Sequence, residues 1–195
     1  RVLFRSIPFD RSSSRSNCPT SDKRHLVNLS TVYAVPGFAN RTIHLLFSDW
    51  QVSGILRVQS GSYLTVTTGV DNALTGQPNQ RPNQILGDPF ASEQTIDHWL
   101  NPAAFRAPAT GTYGNLGAGN ILGPGNIRLD MGLTRTFNVR EGQTLQFRAE
   151  AFNLPNHVNP GAPVTALNNP NFGRSQTAGD PRIMQLALKI GRAHV

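Results

Sequence analysis

Ten consecutive residues, Trp50 to Gln59, alternate between two kinds of side chain. Trp50, Val52, Gly54, Leu56 and Val58 fall on one side, and Gln51, Ser53, Arg57 and Gln59 on the other; only Ile55 breaks the pattern. A period of two sustained over this length is a strand with two unlike faces, not a helix. The same pattern recurs. In residues 25–35, Val27, Leu29, Thr31, Tyr33 and Val35 oppose Asn28, Ser30 and Ala34, with Leu26 and Val32 on the less apolar side, until Pro36-Gly37 ends the run. In residues 127–137, Leu129, Met131 and Leu133 oppose Arg128, Asp130, Gly132 and Thr134. In residues 144–153, Leu145, Phe147, Ala149 and Ala151 oppose Gln146, Arg148 and Glu150, and finally Met184, Leu186 and Leu188 oppose Gln185 and Lys189. Residues 62–68 are β-prone and are expected to prolong the second strand past a kink at Ser60-Gly61. Residues 138–142 read as a short turn.

Between and around these strands the chain is rich in breakers, with 18 Gly and 14 Pro. Charged residues make up only 15% against roughly a quarter in ordinary domains, which excludes coiled coils and charge-driven disorder. No apolar run approaches the ~20 residues of a spanning helix. The single cysteine, Cys18, excludes a disulfide scaffold and a cysteine-based zinc site. Residues 7–23 and 154–181 read as polar loops. Residues 69–125 show almost no periodicity, and a loop of that length is rare without a function.

The ends carry much of the basic charge. Back-translated, the opening RVLFRS and the closing IGRAHV share, on opposite strands, a run of about sixteen bases that looks like a sequencing adapter. Residues 1–6 and 190–195 are therefore expected to be adapter-derived, with residues 7–189 a fragment cut at both ends. Setting aside Arg1, Arg5 and Arg192 leaves 15 basic against 11 acidic residues, so the formal charge of +7 falls to +4. That charge is spread without a basic stripe, which argues against a nucleic-acid partner.

Strands of this kind fit either a sandwich, with the apolar face inward, or a transmembrane barrel, with the apolar face toward lipid. Alternating strand directions put the connections 36–49 and 138–143 at one end of the sheet and 60–126 and 154–181 at the other. Short periplasmic turns and long external loops are the outer-membrane habit. Tyr33, Trp50 and Phe137 then fall where an aromatic girdle belongs. The expected fold is all-β: antiparallel up-and-down strands forming about five strands of a larger transmembrane barrel, with 69–126 as a long external loop. Arg135 is a misfit on the apolar face, expected to snorkel or to mark a bulge.

Six segments carry a resemblance: WQVSGILRVQSG from Trp50, HWLNPAAFRAP from His98, GTYGNLGAGNILGPG from Gly111, RLDMGLTRTF from Arg128, LQFRAEAFNLPNHVNPG from Leu145 and GDPRIMQLALK from Gly179. In that order they resemble the C-terminal part of Oar-like TonB-dependent outer-membrane receptors, a type abundant in Acidobacteria. The resemblance implies a barrel of about twenty-two strands around an N-terminal plug, and import of a ligand bound outside the cell. Energy would come from an inner-membrane TonB complex acting through a plug that this stretch lacks. The closing aromatic that such barrels carry is replaced after Lys189. The implied setting is the bacterial outer membrane, with outer-membrane lipid and an imported ligand as partners, no enzymatic activity and no cofactor. The alternative is a secreted or surface β-sandwich that binds carbohydrate.

Candidate site residues follow from the faces. Gln51, Ser53, Arg57, Gln59, Arg128, Asp130, Gln146, Arg148 and Glu150 would face the lumen, either guiding substrate or simply making a polar wall held by cross-strand pairs. In the long loop, Trp99, Asn101, Phe105 and Tyr113, with Asn115 and Asn120, would offer aromatic rings and amides to a sugar, or else pin the loop. Asp97-His98-Trp99 invites a metal, but His98 has no partner at ligand spacing. Gly117-Ala118-Gly119 through Gly123 lacks the spacing and βαβ setting of a dinucleotide loop. Asn28-Leu29-Ser30 and Asn40-Arg41-Thr42 match glycosylation sequons in an implied bacterial protein, and no catalytic triad or paired carboxylate stands out.

Overall fold

The computed structural model describes residues 22–140 and 143–192. The first six residues, Cys18, most of the leading polar segment, residues 141–142 and the last three residues lie outside that range. In chain order the elements are β1 (Leu26–Ala34), α1 (Arg41–Phe47), β2 (Trp50–Gln59), β3 (Tyr63–Leu64), β4 (Asn83–Gln84), β5 (Phe105–Arg106), β6 (Ile121–Leu122), β7 (Asn126–Arg140), β8 (Gln143–Phe152) and β9 (Ile183–Arg192). They divide into a sheet unit (His25–Ser60, Asn126–Asn159 and the chain from Gly179) and a loop unit built on Gly61–Gly125 and Pro160–Ala178.

The sheet unit is one antiparallel meander, β1-β2-β7-β8-β9, of five strands, and it is not closed. Its register keeps the alternation coherent from strand to strand. Leu29 stands opposite Leu56, and Leu56 opposite Leu129. Tyr33, Val52, Leu133, Ala149 and Leu186 form another such row. A slip of one residue between any two strands would turn one strand's apolar face over. The fold class expected from the pattern is the one observed.

Several details differ from the sequence reading. The strand of residues 127–137 runs on to Arg140, with a bulge between Asn138 and Arg140. β9 continues through Ile190 and Gly191 to Arg192, in register with Leu145, Thr144 and Gln143. The connection after β1 holds a two-turn helix, α1, whose Asn40 side chain accepts from the Thr42 and Ile43 amides. The second sequon-like asparagine is thus an N-cap. Residues 62–68 do not prolong β2. The chain departs at Gly61, where a Cβ would lie 1.8 Å from the Gly123 carbonyl oxygen, and β3 pairs instead with β6.

The loop unit, read from sequence as aperiodic, has a core. Leu64, Val66, Leu100, Ala104, Phe105, Leu116, Ile121 and Phe172 are buried together, with Phe90, Trp99 and Leu167 packed around them. Phe105 and Phe172 meet edge to face at 5.7 Å. Backbone ties join the two loop segments: the Thr67 amide donates to the Thr165 carbonyl at 2.9 Å and Leu167 donates back to Thr67 at 2.9 Å. The Trp99 amide donates to the Gly173 carbonyl at 2.8 Å. Burying each large side chain contributes roughly 1.5–3 kcal/mol, which lets strands of two residues persist.

Candidate functional site

The polar face of the sheet holds all nine residues singled out from its strands. Gln51 lies opposite Thr134 and Thr134 opposite Arg148, and Ser53, Gly132 and Glu150 make the next row. Arg57 faces Arg128, Gln59 faces Asn126, Asp130 faces Ile55 and Gln146 faces Thr136. One expectation is corrected. The closest ion pairs run along the strands rather than between them, because i and i+2 side chains share a face and an arginine easily spans that interval. Arg128 also reaches Asp180, just before β9, at 4.0 Å. Arg128 Nε donates to Asp130 at 2.8 Å, and Arg148 Nε donates to Glu150 at 2.9 Å. Asp130 also accepts the Asn153 amide at 2.9 Å, fixing the chain where it leaves β8. Arg57 makes no ion pair among the described residues and stands opposite a second arginine.

Two asparagines that sequence reasoning passed over organise this end of the sheet. Asn159 is buried; its Oδ1 accepts the Ile127 amide at 2.8 Å and its Nδ2 donates to the Ile127 carbonyl at 3.0 Å, as a neighbouring strand would. Asn153, in the left-handed region at φ 50°, donates to the carbonyls of His157 and Asp180 at 2.9 and 3.1 Å. The FNLPNHVNPG stretch carries this signal, since Asn tolerates positive φ and mimics backbone.

Arg135 neither snorkels nor marks the bulge. It is buried on the apolar side, with its guanidinium over the rings of Trp50 (5.4 Å) and Phe137 (4.7 Å). It donates to the carbonyl of Leu46 at 3.1 Å and that of His44 at 3.5 Å, both in the last turn of α1. Because the sequence reading contained no α1, these acceptors were invisible to it.

The loop candidates do not share one surface. Phe105 belongs to the core, and Trp99 packs on that core with Nε1 donating to the Leu122 carbonyl at 3.0 Å. Asn101 caps the 3₁₀ turn Pro102–Ala104, and Asn115 exchanges hydrogen bonds with Asn83 and Gln84. Tyr113 and Asn120 are exposed. His98 is exposed too, while its neighbour Asp97 pairs with Arg174 at 3.1 Å. Among the described residues no group of three or more His, Cys, Asp and Glu side chains is placed to hold a metal.

Asp71 organises the turn at the start of this unit. Desolvation opposes its ionisation. Against it act the amides of Thr75 and Gly76, the Thr75 hydroxyl and the Gln80 side chain, and together these donors hold the carboxyl below its ordinary value.

An antiparallel meander with one apolar and one polar face, long connections at one end and short ones at the other, is the plan of an outer-membrane barrel wall. Over residues 4–185 the chain matches the family model described as "Outer membrane beta barrel domain", and it belongs to that family. It is therefore an outer-membrane protein. No curated protein and no solved structure matches it. No helix among the described residues is long and apolar enough to cross a membrane, which bears on helices alone, since barrels cross with strands.

Proposed function

We propose that the chain is part of the wall of a TonB-dependent transporter that carries a bound solute across the outer membrane, without enzymatic activity and without a cofactor. The observation that carries this reading is the division of the sheet. One face is apolar from β1 to β9, and the other presents Arg57, the Arg128–Asp130 and Arg148–Glu150 pairs, and the amides Gln51, Gln59 and Gln146. A lumen wall needs that polar surface, and a lipid-facing wall needs the apolar one. The partners in this reading are outer-membrane lipid, a plug domain, the TonB complex and an imported ligand. The loop unit, with Tyr113 exposed, is the external receiving surface. The six ordered segments that resemble Oar-like receptors support the transporter over a simple pore. A secreted carbohydrate-binding sandwich would need its apolar strand faces covered, and Met184, Leu186 and Leu188 are exposed.

The test is solute depletion from a complex medium by cells making the whole receptor, with and without a working TonB system. Energised, TonB-dependent loss of one solute class is expected. Equal depletion in cells lacking TonB would mark a passive pore and overturn the proposal.

A further inference from the structure

The short helix between β1 and β2 carries more exposed apolar surface than an aqueous turn needs. Phe38, just before it, and Ile43, Leu46 and Phe47 on it are all exposed, Phe47 by 60%. With Val52 and Leu133 of the sheet they line one open groove, so the helix surface continues the apolar face of the strands. A contiguous exposed patch of this kind marks an interaction surface. Among the segment's described polar side chains, Asn40, Thr42 and His44 are exposed as well.

The last carbonyls of a helix are satisfied by water, by side chains or by tighter turns; at the end of α1 the donors are protein groups. Here the His44 carbonyl accepts from the Ser48 amide at 3.2 Å and from Arg135 at 3.5 Å. The Leu46 carbonyl accepts from Trp50 Nε1 at 2.9 Å and from Arg135 at 3.1 Å. The Ser48 hydroxyl, fully buried, accepts the Phe38 amide at 3.0 Å. Protein donors thus replace water at each of these acceptors, as backbone at the edge of hydrocarbon requires. Asp49, at φ 63°, then turns the chain back into β2.

We infer that α1 is an interfacial helix lying in the periplasmic leaflet of the outer membrane, with phospholipid acyl chains filling the groove between it and the sheet. Continuity with the apolar strand face identifies the occupant as lipid, and Arg135, clamped between Trp50 and Phe137, holds the helix at that depth. A helix so placed buries its apolar side roughly 5–10 Å into the headgroup–acyl boundary. This inference rests on the reading of the strand face as lipid-facing.

The experiment uses the whole receptor, in which the barrel is closed, with any tryptophan outside the present sequence replaced by phenylalanine. It is refolded into phosphatidylethanolamine–phosphatidylglycerol vesicles that contain lipid brominated either just below the headgroup or near the chain end. The sequence has two tryptophans, Trp50 and Trp99. Trp99→Phe removes one, while Trp50 is kept because it caps the Leu46 carbonyl and holds Arg135, and its emission is subtracted using the same protein without a reporter. Phe47→Trp then reports on the helix and Met184→Trp on the middle of the strand face. Shallow bromine should remove about half or more of the helix reporter's emission and deep bromine little, with the order reversed for the strand reporter. Quenching of the strand reporter without the helix reporter would put α1 in water or against a protein and overturn the inference, leaving the lipid-facing sheet intact. Stronger quenching of the helix reporter by deep bromine would also overturn it. Quenching of neither would remove the lipid-facing reading and the helix's place with it.

Discussion

Val66, Leu100 and Ile121 of the loop unit are at most 1% exposed, whereas Met184, Leu186 and Leu188 of β9 are 68–74% exposed, although the side chains are of the same chemical kind. The loop unit hides its aliphatic residues from water with the help of segments far apart in sequence. The sheet gathers them on one face and leaves that face bare. The first is how a protein folds in an aqueous solvent, and the second is stable only where the solvent is itself apolar. One chain is written for two solvents, and it crosses between them at 60/61, 125/126, 159/160 and 178/179.

The comparison is broken most severely inside the loop core. Leu100→Ala should cost about 2–5 kcal/mol of loop-unit stability, because the cavity lies among backbone already committed to other contacts. Limited proteolysis should then cut within residues 61–125 while β7 and β8 stay protected. Simultaneous loss of both units would show that they are not independent.

On the sheet the same test takes the opposite chemistry. Leu56→Arg, in the middle of the apolar face, should cost about 2–4 kcal/mol and block outer-membrane assembly, whereas Gln146→Arg on the other face should leave it unchanged. Heat-modifiable migration of the assembled barrel is the readout. Smaller, and at the seam of the sheet, is Asn159→Ala, which leaves the Ile127 amide and carbonyl without their partner. A loss of about 1–3 kcal/mol is expected, seen as faster amide exchange at the start of β7.

The smallest effect concerns pH. Because the folded-state pKa of Asp71 is lowered, its contribution is present above the unfolded value and fades as pH falls through the folded one. Protection factors at Thr75 and Gly76, taken against the intrinsic exchange rate at each pH, should fall on acidification in the native chain and be low at every pH in Asp71→Asn. The strands should show no such dependence on Asp71.

The strands were legible because a period of two needs only local sequence: Trp50–Gln59 was delimited to the residue. The loop core was not, because Leu64, Leu100, Ile121 and Phe172 come together through two-residue ladders, single bridges and turns too short to impose a period. The same blindness made Trp99 and Phe105 look available to a ligand, since a loop aromatic carries no local mark of burial. α1 escaped notice because a helix this short gains its stability from its cap and from Arg135 rather than from propensity. Once α1 is placed, the Arg135 Nη1 and Nη2 groups have acceptors, while its buried Nε keeps none.

The central claim is that the even and odd positions of one strand meet different solvents. Single cysteines placed from Gln146 to Ala151 of β8, in a chain whose Cys18 is replaced by serine, can be probed in outer membranes with a polar, membrane-impermeant maleimide. Labelling at 146, 148 and 150 with protection at 147, 149 and 151 is the expected result. Uniform labelling, or the reverse alternation, would contradict the account.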